Sequence, residues 1–588
     1  MDKNKSVDDK GNYLKSNTNV FFLLLGLIIL FGYTINHLLN NYYKINNDLY
    51  LGWIYSIISI VVLLIYAFGN DRIHKKNLKD FHFLSVSLLS FFGFASLYFG
   101  IILILNAPAF YESYDVIILG LFCLYMAYFL YKGKDKLGKD GLLLLYREKW
   151  GIKFIEKIGS KYKRTFTFFS YVSIICGFIL MAGAIYMLWT VIEVYLFRPD
   201  VIRAIKVPPI TPLIPYLPKI FKIDFLPPFY VSYWIVIIAI AAIPHEFFHG
   251  IFMRRYNIHI KSTGFGFFPW FLPVFLAAFV EQDEKSMEKA SKFEQMAVLA
   301  AGTFANVLTG IFFFFVFWIF FILFFHPAGI VISDYSSSSV KISDITMING
   351  VSVDNPDINR FNELVRNGTN EIVSKNENYV GIKSYYTNTD EYVLLYDDTP
   401  AIKSNLTGAI TEINDVKIAN AKELTSELEK YKSGDKIKIK IINKERIIEE
   451  KEITLGENPV TKKAFLGIAL PNSDARGIKK WIYNAITIFK KPEIYYKPVF
   501  NGLSIFIYNL LLWILLVCVS IAFVNMLPVG IFDGGRFFYL TVWGITGNEK
   551  IAKRAFSFVT YLFLAFLALI MMLWFVAIYG KYFKGFFS

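Results

Sequence analysis

The stretch IVIIAIAAIPHEFFHGIFMRRY, residues 235–256, decides how this chain is read. Its first nine residues are apolar and it closes on Arg254 and Arg255, the pattern of a membrane helix with polar side chains near one end. Inside it stands His245-Glu246-Phe247-Phe248-His249. Residues four apart share a helix face, so both imidazoles reach one point, and Glu246 sits about 100° around from His245. An ionised group at the bilayer centre costs a few kcal/mol, which three such residues within five must recover. A buried ion pair or a polar helix end would recover it blandly. The sharper reading is a metal site, with His245 and His249 as ligands and Glu246 beside a water on the metal. Zinc with three protein ligands and one open position lowers the pKa of such a water towards about 7, and Glu246 then serves as general base. Pro244 frees the carbonyl of Ile240 and favours a kink beside the site.

Working outward, apolar runs long enough to cross about 30 Å of hydrocarbon recur at both ends of the chain and are missing between about 330 and 500. We place crossings near 20–39, 49–68, 83–106, 115–132, 166–194, 229–253, 296–325, 503–527 and 555–579, about nine in all. The chain has 588 residues, 55% of them hydrophobic, with a mean hydropathy of +0.45. The distribution rather than the average makes it a polytopic α-helical membrane protein. The first run follows a polar tail and has no small-residue cleavage site, so it reads as a retained helix. The net charge of +14 is a topology signal and not a nucleic-acid footprint. It concentrates in 69–80 and 132–164, whereas 39–48 holds only Lys44 and 107–113 has no basic residue. The positive-inside rule then places the N-terminus and both basic loops in the cytoplasm and residues 326–502 outside. Cys123, Cys176 and Cys518 all fall in expected crossings, so no disulfide framework supports the outer region.

A second polar cluster, Asn525-Met-Leu-Pro528-Val-Gly-Ile-Phe-Asp533-Gly534-Gly535-Arg536, ends a later apolar run. Aspartate between Pro and Gly residues indicates a helix broken near the membrane, tolerated there only where it is buried in protein or lines a cavity. Following the crossings, Asp533 arrives at the same inner depth as His245 and His249. Alone it reads as a turn residue or a ligand. With the two histidines it completes a catalytic zinc set, one ion per chain.

HEFFH on one membrane helix, NMLPVGIFDGG on a later one and AAGTFANVLTG (300–310) between them resemble the site-2 protease family. The extended match FVEQDEKSMEKASKFEQMAVLAAGTFAN (279–306) resembles its archaeal and eukaryotic-type branch. The resemblance covers roughly 140–588. It implies an intramembrane zinc metalloprotease that cleaves transmembrane helices of membrane-anchored proteins in regulated intramembrane proteolysis. Asn306 in a membrane bundle ordinarily makes an interhelical hydrogen bond. By resemblance it matches a family asparagine that holds substrate backbone or the developing oxyanion, a catalytic role. Asn525 reads as a residue that caps or orients the broken helix behind the ligands. TGFGFFPWFLPVFLAAFV (263–280) resembles the family's membrane-embedded β-hairpin, either an edge that pairs with an unwound substrate or a plug.

Between the two membrane blocks, EYVLLYDD (391–398), GAITEIND (408–415), KIKIKIIN (436–443) and RIIEEKEITL (446–455) alternate at strand period around one helix, AKELTSELEKY (421–431). The stretch 408–441 resembles a protease-associated PDZ domain and 329–353, more weakly, the start of another: two modules, or one with an insertion. Such a domain binds extended peptides by strand addition, and its alternative here is a structural β-domain without a free groove. Asn367 and Asn405 head glycosylation tripeptides. Residues 475–490 place Ile478, Trp481, Ile482, Ala485 and Ile486 on one face between lysines, an interfacial helix.

The expected organisation is an N-terminal four-helix membrane module (1–132), a basic cytoplasmic linker (133–165), a first protease part (166–325), a PDZ-like extracytoplasmic region of α+β type (326–475), the interfacial segment (476–502) and a second protease part (503–588). The expected partners are membrane-anchored substrates and the lipid bilayer, with peptides at the PDZ-like region and no nucleic acid. The alternatives are a metal-binding transporter, which would spread acidic residues and histidines over many crossings, and a PDZ-bearing scaffold, which would work without Glu246. A cluster confined to one depth does not match the transporter's distribution.

Overall fold

The computed structural model describes residues 78–106, 111–140, 143–198, 202, 213–220, 223, 226–268, 274–366, 369–375, 377–385, 391–443, 446–458, 461–470 and 490–583. The expected crossings at 20–39 and 49–68 and the interfacial residues 475–489 lie outside them, as does Asn367. Among the described residues, seven helices are long and apolar enough to cross a membrane, matching the seven remaining expected crossings. The chain is a polytopic membrane protein with a sheet-containing insertion, and it divides into two units: residues 1–315 with 509–588, and residues 316–508.

The first unit opens with α1 (Leu78–Asn106) and α2 (Tyr111–Lys132), followed by β1 (Leu137–Asp140), β2 (Leu143–Glu148), the amphipathic α3 (Ile152–Lys161) and the long α4 (Lys163–Phe197). The segment quoted above is α5 (Val231–Arg255), which runs through Pro244. β3 (Ile260–Phe268) and β4 (Val274–Gln282) form the expected hairpin. α6 (Glu284–Lys289), capped by the Asp283 carboxylate, leads into α7 (Lys292–Phe324). After the insertion come α8 (Asn501–Asn525), α9 (Asp533–Thr546) and α10 (Glu549–Phe583).

Two features of this unit were not readable as local pattern. Leu143–Glu148, within the expected linker, is a strand antiparallel to β3, with Leu144 opposite Phe267 and Glu148 opposite Thr263. The hairpin is therefore half of a four-stranded sheet in the order β1-β2-β3-β4. The second feature is at the start of α5, which has no side-chain cap of its own. Asp115 of α2, 3% exposed, accepts the Val231 N–H at 2.7 Å, the Ser232 N–H at 2.8 Å and the Tyr216 hydroxyl at 2.6 Å. The first N–H groups of a helix have no partner within it and carry its positive dipole end, so a carboxylate there satisfies both. A residue of the N-terminal module thus caps the helix carrying His245 and His249. At the other end of α5, Arg255 donates to Thr167 Oγ1 at 2.9 and 2.7 Å, fastening it to α4.

One apolar core gathers Ile155 of α3, Met181 of α4, Phe252 of α5, Val298 of α7, Met526 just after α8 and Phe537 of α9 around the C-terminal end of α5. Burying large side chains such as Phe252 and Phe537 contributes about 1.5–3 kcal/mol each.

Among the described residues the second unit contains two large antiparallel sheets, each with its own core, and two small two-stranded ones. One orders Ser337–Lys341, Tyr392–Asp397, Glu377–Tyr385, Ile372–Ser374, Ile345–Ile348 and Val351–Ser352, packed around Phe361 on the short helix Ile358–Leu364. The other orders Ile448–Thr454, Lys436–Ile442, Gly408–Ile413, Phe325–Ile332 and Ile494–Pro498, packed on Leu424 of Ala421–Leu428. In Lys436–Ile442 the inward isoleucines 437, 439 and 441 are buried and alternate with lysines, the period-2 signal that made this region legible.

Candidate metal centre

α5 presents His245 and His249 one turn apart, 6% and 7% exposed, with their Nε2 atoms 3.1 Å apart. Asp533, the first residue of α9, brings Oδ2 to 3.4 Å from His245 Nε2 and 3.3 Å from His249 Nε2. One donor atom from each of the three lies within 4.8 Å of the others.

Asp533 arrives there because the helix breaks as its sequence demands. α8 stops at Asn525, just before Pro528, and the chain turns through Val529 N–H to Leu527 O and Phe532 N–H to Val529 O before α9 begins. Gly534 packs backbone to backbone on this turn, since a Cβ there would lie 2.4 Å from the Met526 carbonyl carbon. Any side chain would lift the start of α9, and Asp533 with it, off the turn. Asn525 is half-buried, and among the described residues no hydrogen bond joins its side chain to the cluster.

Both imidazoles are held from behind by α7. His249 Nδ1 donates to Val298 O at 2.7 Å. A carbonyl only accepts, so the proton is on Nδ1 and the Nε2 lone pair faces His245 and Asp533. His245 Nδ1 lies 3.1 Å from Nδ2 of the fully buried Asn306. Between these two positions Gly302 leaves α7 bare, where a Cβ would lie 2.3 Å from His249 Nε2 and 2.6 Å from His245 Nε2. Residues 298, 302 and 306 are four apart and share one face, a spacing visible in the sequence once Asn306 is singled out. Glu246 Oε2 accepts the Val280 N–H of β4 at 2.9 Å. A cavity of about 980 Å³ reaches Glu246 between α5, α3 and the sheet, walled by Tyr146, Phe154, Phe247, Phe265 and Phe279.

The donor set fits zinc. Tetrahedral Zn–N and Zn–O distances of about 2.0–2.2 Å require ligand atoms about 3.3–3.6 Å apart, close to the three separations found here. The model of peptidase family M50 matches residues 233–570, from α5 through α9 and into α10. The chain belongs to peptidase family M50, that of the site-2 proteases. Membership makes it a membrane metallopeptidase, and His245, His249 and Asp533 are where an M50 peptidase of this sequence brings suitable ligands together. A comparison with curated proteins returns no match.

Sequence reasoning found all three members of the cluster. It missed Val298 and Val280, which act through backbone atoms and leave no signal in side-chain chemistry.

Proposed function

We propose that this M50 peptidase is a zinc endopeptidase that cleaves transmembrane helices of membrane-anchored proteins as a step of regulated intramembrane proteolysis. The observation that carries the reading is the convergence of His245, His249 and Asp533, from two distant helices, on one point beside Glu246. When bound, the zinc ion would supply a Lewis acid for the scissile carbonyl and an acidified water. The chain's own residues do the rest. His245, His249 and Asp533 would hold the ion. Glu246 takes the proton from the attacking water and returns it to the leaving amide nitrogen, its carboxylate aimed by the Val280 N–H. Glu246 faces an aromatic-walled cavity suited to apolar substrate side chains. Among the described residues β4 pairs with β3 alone, and its other edge offers a substrate strand a backbone to pair with once its helix has unwound.

The basic residues of 132–164 support a cytoplasmic position for the catalytic end of α5, with the insertion outside. There the two-sheet insertion, read as PDZ-like, screens extended ectodomain segments. The test is Glu246→Gln in the full-length protein reconstituted in liposomes. We expect one zinc per chain to be retained and cleavage of a helical substrate to fall by at least about 10²-fold, the scale of lost general-base catalysis. Cleavage at the parental rate would refute the assignment.

A further inference from the structure

We infer that Asn306 is a positioning residue: its side-chain carbonyl accepts the Nδ1 proton of His245 and so keeps the His245 Nε2 lone pair directed at His249 and Asp533. The inference rests on the metal-site reading above and goes beyond it, since it assigns Asn306 to a ligand and not to substrate.

Three observations carry it. Asn306 is fully buried with its amide 3.1 Å from His245 Nδ1, the ring nitrogen opposite the one that faces the cluster. Its Oδ1 is buried and has no hydrogen-bond partner among the described residues. And the neighbouring ligand is already held in the manner inferred, with His249 Nδ1 donating to the Val298 carbonyl two turns earlier on α7.

The two amide orientations differ in consequence. With the NH₂ group towards Nδ1, that nitrogen must accept, the imidazole proton moves to Nε2, and it points at the His249 nitrogen 3.1 Å away. Oδ1 then remains a buried acceptor with no hydrogen-bond partner among the described residues. A half-turn of the amide exchanges oxygen for nitrogen at the same position. Oδ1 gains its partner, Nδ1–H donates, and Nε2 becomes a free lone pair like that of His249. Histidines that bind metal characteristically donate their other N–H to a carbonyl or carboxylate, which fixes tautomer and ring orientation. α7 then supplies both acceptors, one from its backbone and one from a side chain, flanking Gly302.

The experiment measures zinc affinity of the purified full-length protein by chelator competition, for the parent, Asn306→Leu, Asn306→Asp and His245→Ala. Asn306→Leu removes the acceptor at similar volume and should weaken zinc about 10–100-fold, with its cleavage restored as free zinc is raised. Asn306→Asp keeps an acceptor and should bind within about threefold of the parent. Parental zinc affinity in Asn306→Leu, with a cleavage defect that added zinc does not repair, would overturn the inference in favour of substrate or oxyanion contact. If Asn306→Leu fails to fold, Asn306→Asp decides, because a tenfold loss of affinity there overturns it equally. Zinc bound by His245→Ala as tightly as by the parent would instead defeat the metal-site reading itself, an outcome separable from either result at Asn306.

Discussion

Replacing Gly302 by alanine adds one methyl group to a membrane helix, yet its consequence should be local and severe. The new Cβ would lie 2.3 Å from His249 Nε2, 2.6 Å from His245 Nε2 and 2.7 Å from His245 Cε1. Ordinary carbon contacts are about 3.5–4.0 Å, so the His249 ring must retreat by more than about 1 Å. Rotating the imidazoles away relieves the clash, which keeps the global cost near the 1–3 kcal/mol usual for overpacking. Zinc ligation tolerates only about 0.2 Å, so the same rotation removes a ligand. Gly302→Ala should therefore fold and purify but carry less than about one tenth of an equivalent of zinc after mild chelation, and lose cleavage in parallel. The assay is elemental analysis of the detergent-purified protein beside a proteoliposome cleavage assay. Gly310→Ala on the same helix is the matched control, because its nearest neighbour, Cys518 Cβ, would stand at an unstrained 3.8 Å. A Gly302→Ala protein with a full zinc equivalent and parental turnover would refute the geometry of the site.

Asp115→Ala should lower stability by about 3 kcal/mol, since two amides of α5 and the Tyr216 hydroxyl lose their acceptor at about 1–3 kcal/mol per orphaned group, and Asp115→Asn should recover part of it. Thermal unfolding in detergent measures this, and an unchanged midpoint for Asp115→Ala would show that the cap contributes nothing. In the insertion, partial burial would raise the Asp334 carboxyl, but the Lys383 ammonium at 2.7 Å and the Tyr335 N–H at 2.9 Å outweigh it and hold it below its ordinary value of 3.8. A depressed carboxylate stabilises the fold fully above its unfolded value and loses that contribution as pH falls through the folded one. Hydrogen-exchange protection of peptides covering Glu377–Tyr385, taken relative to the intrinsic exchange rate at each pH, should thus hold steady near neutral pH and fall below about pH 4, with Lys383→Met showing a smaller change over the same range. Identical pH profiles would count against the ion pair.

What the sequence disclosed follows from the kind of constraint involved. The convergence of His245, His249 and Asp533 was legible because few residue types offer metal-ligating atoms, and one helix turn fixes the spacing of the two histidines. The insertion strands were legible because the isoleucine–lysine alternation of Lys436–Ile442 is the signature of a half-buried sheet. Leu143–Glu148 was not, because LLLYRE is too short and too uniformly apolar at its start to separate strand from helix, and its partner β3 lies more than a hundred residues on. Asp115 escaped for a related reason. A carboxylate near the end of an apolar helix looks like a boundary residue until the chain far downstream supplies the amides it caps. The role of Asn306 divides in the same way: its burial in a bundle was predictable, while its neighbour, His245 Nδ1, became visible only once α5 and α7 were packed.

The order of the β-sheet leaves it with two unlike borders. β1 is four residues long, the short kind of border that resists joining anything. β4 is nine residues long, apolar through Val280, and runs beside Glu246. Unpaired amides in contact with lipid tails would each cost several kcal/mol. Val280 already gives its N–H to Glu246, and the void along Ala278, Phe279 and Val280 leaves room for water at the rest of the border. Wetting the strand and delivering hydrolytic water to the carboxylate are then one and the same architectural demand.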